Sequence, residues 1–112
     1  MKATRNELQA LAERVERGNG EDKKLSRAAL HAIGQIVGNV SPADHVDPLL
    51  SLDAALSIVP KWAKDTDAVS LCMGQNTMAQ WTAHVGNHEG WHDEPARALT
   101  AAALYAHAEA AR

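Results

Sequence analysis

The sequence predicts a single α+β domain in which helices pack on a small antiparallel sheet. Three observations predict it. Apolar residues recur at helical spacing in segments that begin near Thr4, Leu25, Ser51 and Pro95. Residues 69–85 switch to strict alternation, the period of half-buried strands, interrupted by the turn cluster Gly74-Gln75-Asn76-Thr77. A chain of 112 residues supplies one core and not two, so residues 1–112 are read as one domain.

Thr4 followed by Glu7 forms a capping box, and Leu8, Leu11, Ala12 and Val15 then share a face. This first helix should end near Arg17, at Gly18-Asn19-Gly20. A second helix, capped by Asp22, carries Leu25, Ala29, Ala32, Ile33, Ile36, Val37 and Val40, with Gly34 and Gly38 as a face that another backbone could approach. Ser41-Pro42-Ala43-Asp44 can cap one helical turn, and the segment from His45 to Leu50 reads as a loop. Ser51 caps a third helix with Leu52, Ala55, Leu56 and Val59 as its buried face, and Pro60 ends it.

Trp62 then falls in a short polar linker, KWAKDTD. Val69, Leu71 and Met73 alternate along one strand, and the strand from Met78 to Val85 returns with Ala79, Trp81, Ala83 and Val85 on one face. Asn87-His88-Glu89-Gly90 reads as a second turn, leaving room for one extra short strand at Trp91-His92. Asp93 or Glu94 caps the last helix, from Pro95 to Arg112, whose Ala96, Leu99, Thr100, Ala103, Leu104 and His107 form one stripe. The expected order is α-α-α-β-β-α.

Composition narrows the function classes. The formal charge is −3 and the basic residues are spread along the chain, which disfavours nucleic acid, because neutralising phosphates calls for a basic patch. A neutral or basic protein partner, or self-association into a homo-oligomer, is the easier expectation. Cys72 is the single cysteine, so no internal disulfide or cysteine-based finger exists. No signal-peptide pattern and no stretch of roughly 20 apolar residues is present, so a cytoplasmic protein without membrane contact is expected. No phosphate loop, serine elbow or other cofactor motif occurs either.

The segment SLDAALSIVP, the tryptophan soon after it, the hairpin with tryptophan in its second strand, and the closing PARALTAAALYAHA resemble the small phage and prophage proteins of the phage alpha-beta-alpha sandwich domain. The match runs over most of residues 4–106 and departs from the pattern between Leu25 and Pro48. It implies an α/β sandwich and a phage or prophage origin. It implies no catalytic residues and no cofactor, since its motifs are packing patterns. Together with the acidic balance and the absence of catalytic motifs, the resemblance leads to the expectation of an accessory protein that acts by binding another protein, a host enzyme or defence component, or by self-association.

One constellation invites chemistry. His84, His88 and His92 stand at H-x3-H-x3-H spacing beside Glu89, Asp93 and Glu94, a ligand set that zinc accepts, and a metal-dependent hydrolase or nuclease is the alternative they offer. That spacing aligns three imidazoles only on a helix, whereas Gly86, Asn87 and Gly90 mark turns. Cys72 on a strand reads as a buried, inert thiol. His31 and His107 read as helix histidines holding one hydrogen bond, and His45 as solvent-exposed. The candidate partner-binding residues are Trp62 and Trp91, which flank the hairpin in polar segments, with His92, Asp93 and Glu94 at the rim of the last helix.

Overall fold

The C-terminal helix, which the sequence presents as a one-sided stripe, is buried on nearly every side. In this computed structural model residues 4–18, 22–33, 48–49, 51–74 and 79–110 are described. Their elements run α1 (Arg5–Arg17), α2 (Lys23–Ala32), α3 (Leu52–Ser57), α4 (Lys61–Asp65), β1 (Val69–Met73), β2 (Trp81–Val85), β3 (His88–His92) and α5 (Pro95–Ala110). Every residue of α5 from Ala96 to Leu104 is buried. The helix packs on β2 and β3, on α1 and on α3.

Alanine is the reason. It has the best helix propensity and adds little bulk in any direction, so neighbours can close on all sides of a helix built largely from it. Two apolar clusters meet on α5. One joins Ala98, Leu99, Ala102, Ala103 and Ala106 to Ala83 and Val85 of the sheet and to Ala55, Ile58 and Val59. The other joins Ala101, Leu104 and Ala108 to Leu8, Ala12 and Val15 of α1 and Leu25 and Ala29 of α2.

The helix starts follow their caps. Thr4 Oγ1 accepts from the Glu7 amide at 3.2 Å, Asp22 Oδ1 from the Leu25 amide at 3.0 Å, and Ser51 Oγ from the Ala54 amide at 3.3 Å. Gly34, Gly38, the 41–44 turn, His45 and the turn residues 75–78 lie outside the described residues. The second helix ends at Ala32 with Ile33 as its C-cap, short of the expected run to Val40, and residues 34–40 lie outside the described residues.

Three expectations change. Trp62 sits not in a linker but in the one-turn helix α4, pinned by buried Ala63 and closed by the Thr66 hydroxyl, which donates to the Trp62 carbonyl at 2.8 Å. Leu52 and Leu56 face outward at 43% exposure each, because α3 meets the alanine surface of α5 through its own small residues, Ala54 and Ala55. The third strand is a full five-residue strand. The turn before it is the two-residue loop Gly86-Asn87, with Val85 paired to His88 and Gly86 at φ +63°, the hairpin geometry that glycine at the first central position favours.

The sheet is antiparallel throughout, in the order β1-β2-β3. Its register places Leu71, Ala83 and Gly90 in one row against α5, and Ser70, His84 and Glu89 in a row on the opposite face. No helix among the described residues is long and apolar enough to cross a membrane.

Candidate functional site

Two shallow grooves flank the β2–β3 turn. The first, of about 480 Å³, is lined by Trp62, Gly86, Asn87, His88 and Glu109. Trp62 reaches it by lying against Gly86: a Cβ on that glycine would stand 2.7 Å from Trp62 Cη2. The ring is held by the turn and is still 48% exposed. On the floor, His88 Nε2 and Glu109 Oε2 form a close hydrogen bond.

The second groove, of about 390 Å³, shares Asn87 and His88 and adds Glu16, Glu89, Trp91 and Tyr105. Glu16 organises it. One carboxylate oxygen accepts from the Trp91 backbone N–H at 3.0 Å and the other from the Tyr105 hydroxyl at 2.7 Å. The first bond also covers an outward-facing donor of the edge strand β3, where an unpaired N–H would otherwise invite another strand. Trp91 is half-buried; its indole N–H, like Oγ1 of its cross-strand neighbour Thr82, is buried without a hydrogen-bond partner among the described residues. Packing, not the polar handle, therefore seats that ring.

Burial raises the Tyr105 phenol well above its ordinary value of 10.0, and the Glu16 hydrogen bond and the charges of Glu16 and Glu13 push it the same way against Arg17. The folded state thus keeps a proton that the unfolded chain releases above pH of about 10, so this contribution to stability is complete below that pH and is lost as pH rises beyond it. Tyr105 is the only tyrosine. In an alkaline titration its phenolate absorbance should therefore appear only together with loss of tertiary structure. A phenolate band that titrates near the ordinary value in the intact fold would contradict the Glu16 clamp.

The three clustered histidines are separated. His84 lies on the face of the sheet opposite His88 and His92, bonding Glu89 through Nε2 at 3.3 Å and Ser70 Oγ through Nδ1 at 3.3 Å. His88 holds Glu109. His92, 4% exposed, donates from Nε2 to the Gly18 carbonyl, while its Nδ1 accepts from the Glu94 amide at 2.9 Å. Both of its nitrogens are committed to backbone groups, which leaves neither free for a metal. Among the described residues no group of three or more His, Cys, Asp or Glu side chains could hold a metal ion.

The Ser70-His84-Glu89 row has the connectivity of a nucleophile with its base and orienting carboxylate, and no motif in the sequence singles out Ser70. It crosses a water-facing side of the sheet, and neither groove is lined by Ser70 or His84. The row is a cross-strand polar ladder. Cys72, a free thiol, is half-exposed on the same face, not buried as expected.

The rim residues are a structural joint. Asp93 is exposed and its Oδ1 accepts from the Gln80 amide at 2.9 Å. Glu94 meets the guanidinium of fully buried Arg97 at 3.3 Å, and Arg97 Nη1 donates to the Val15 carbonyl at 2.9 Å. With His92 on Gly18, two buried side chains thus cap the C-terminal carbonyls of α1. His92 and His88 are the two ends of β3, roughly 13 Å apart at the rise of a strand. The expected surface therefore divides: Trp62 and Trp91 line the grooves, whereas His92 is interior and Asp93 and Glu94 lie beyond the far end of β3. His107 behaves as a helix histidine should, Nε2 meeting the Ile58 carbonyl at 2.7 Å.

Nothing local in the sequence brings Glu16 of α1 together with Tyr105 and Glu109 of α5 as groove residues, since the two helices lie at opposite ends of the chain. The one available signal was a lone tyrosine in an alanine-rich helix. Comparison with models of protein families, with curated proteins and with solved structures finds no match.

Proposed function

We propose that this chain is a non-catalytic protein-binding module, a small phage or prophage accessory protein whose partner docks across the β2–β3 turn. The observation that carries the reading is Trp62. A large aromatic ring, 48% exposed and packed against Gly86, offers a partner a large apolar face. The grooves beside it give a partner side chain somewhere to go. Both are open and shallow, the form expected of a docking surface more than of an enclosed metabolite site.

Capture from a bacterial host lysate tests this reading. Replacing Trp62 with alanine should weaken retention of the captured protein about 30-fold, the loss typical of a central aromatic anchor. The far-ultraviolet circular dichroism should be unchanged, because the ring stands outside the core. Equal retention by the folded variant would exclude this surface.

A further inference from the structure

We propose that the partner offers an arginine from an extended basic segment, and that its guanidinium seats in the groove between Trp91 and Tyr105, flanked by Glu16 and Glu89. The proposal rests on the protein-binding reading above and assigns it a ligand chemistry.

The lining argues for a cation. Together the two grooves are lined by Glu16, Glu89 and Glu109 and by Trp62, Trp91 and Tyr105, with no lysine or arginine among the lining residues. Glu16 is preorganised by its bonds to Trp91 and Tyr105, and each of its oxygens keeps a second lone pair. Glu89 stands exposed at the mouth, held on one side by His84. The charges felt at Tyr105 are Glu16 and Glu13 against Arg17, a net negative field. His88, the imidazole where the grooves meet, is engaged through Nε2 by the Glu109 carboxylate.

The mixture of aromatic and acidic walls selects guanidinium over ammonium. A guanidinium is planar and weakly hydrated, stacks on aromatic faces and directs its N–H groups at carboxylates in its own plane. One group thereby satisfies both kinds of wall. A volume of about 390 Å³ open to solvent admits the end of a side chain while leaving its backbone outside, across Asn87.

The test is a titration of isotope-labelled full chain with a capped peptide of alternating glycine and arginine. Twin peptides carry citrulline, which keeps the shape without the charge, or lysine. The Trp91 indole N–H signal, assigned with Trp91→Phe, should move on adding the arginine peptide. Affinity should fall about tenfold for the citrulline twin and several-fold for the lysine twin. Glu89→Gln should weaken arginine binding several-fold and added salt should weaken it further. Glu89 is exposed, so this variant keeps its fold.

No movement of the Trp91 signal, equal movement with citrulline, or affinity unaltered by Glu89→Gln overturns the proposal. So does movement with protein concentration alone, which would make a second copy of the chain the occupant. Lysine binding as tight as arginine overturns the choice of guanidinium. The two readings fail separately: capture lost with Trp62→Ala but a Trp91 signal indifferent to the arginine peptide retains the binding module and removes the cation seat. A responsive Trp91 signal with capture indifferent to Trp62→Ala does the reverse.

Discussion

Replacing Gly90 with alanine is expected to destabilise the domain by about 3 kcal/mol or more, enough to leave a marginal fold largely unfolded. A Cβ at that position would stand 2.2 Å from the Ala98 carbonyl oxygen, 2.5 Å from the Ala102 amide nitrogen and 3.0 Å from the Ala101 Cβ. The two nearest atoms are backbone of α5, which cannot rotate away as a side chain can. Strand and helix would have to separate, and α5 carries both apolar clusters, so relief at one contact disturbs the whole core. Urea denaturation should show a large fall in midpoint. Combining the change with Ala101→Gly should restore little, because only the mildest of the contacts is removed. A native-like midpoint for Gly90→Ala would refute the close approach of β3 to α5.

The second large effect is expected at Arg97. It is fully buried, donates to the Val15 carbonyl and meets Glu94. Truncation to alanine removes a donor from the end of α1, opens a cavity beside Gly18 and takes away the guanidinium that meets Glu94. Breaking a fully buried pair costs about 3 to 5 kcal/mol, and since Glu94 can turn toward water, a value near the lower end of that range is expected. Arg97→Met fills the volume and should cost less, about 1 to 3 kcal/mol, for the stranded carbonyl and the lost pairing with the partly exposed Glu94. The order alanine worse than methionine, read by chemical denaturation, separates the packing role from the polar one. Because His92 caps the adjacent part of α1, its replacement combined with Arg97→Met should cost less than the two separate losses added together. Strict additivity would mean that the two side chains do not act on one joint.

Much of the fold could be read along the chain. The caps at Thr4, Asp22 and Ser51, the stop at Pro60 and the alternation of Val69, Leu71 and Met73 are local signals, each set by hydrogen bonds or sterics within a few residues. Of β3 only the end at Trp91-His92 is legible, because Asn87-His88-Glu89-Gly90 reads as a turn, whereas the loop closes at Gly86-Asn87. The glycine at 90 belongs to helix contact and not to chain reversal. Likewise a polar segment with tryptophan gave no sign that Ala63 would anchor a helical turn.

The candidate site was legible only in part. Trp62 and Trp91 could be named because tryptophan in a polar stretch is unusual. His92 could not be told from His88 by sequence, since the difference is whether the Gly18 carbonyl or the Glu109 carboxylate arrives at the ring. Glu16, Tyr105 and Trp91 come from three separate elements, and only the packing of α1 and β3 against α5 brings them together.

By itself, then, the sequence determined the α+β class, the starts of α1, α2 and α3 and the first hairpin strand, since these follow from short-range chemistry. Tertiary structure alone decided that α5 is enclosed, that Leu52 and Leu56 face outward, and which carboxylate meets which ring. An alanine-rich helix carries no strongly preferred face, so its neighbours, and through them the grooves, are set by how closely each element can approach it.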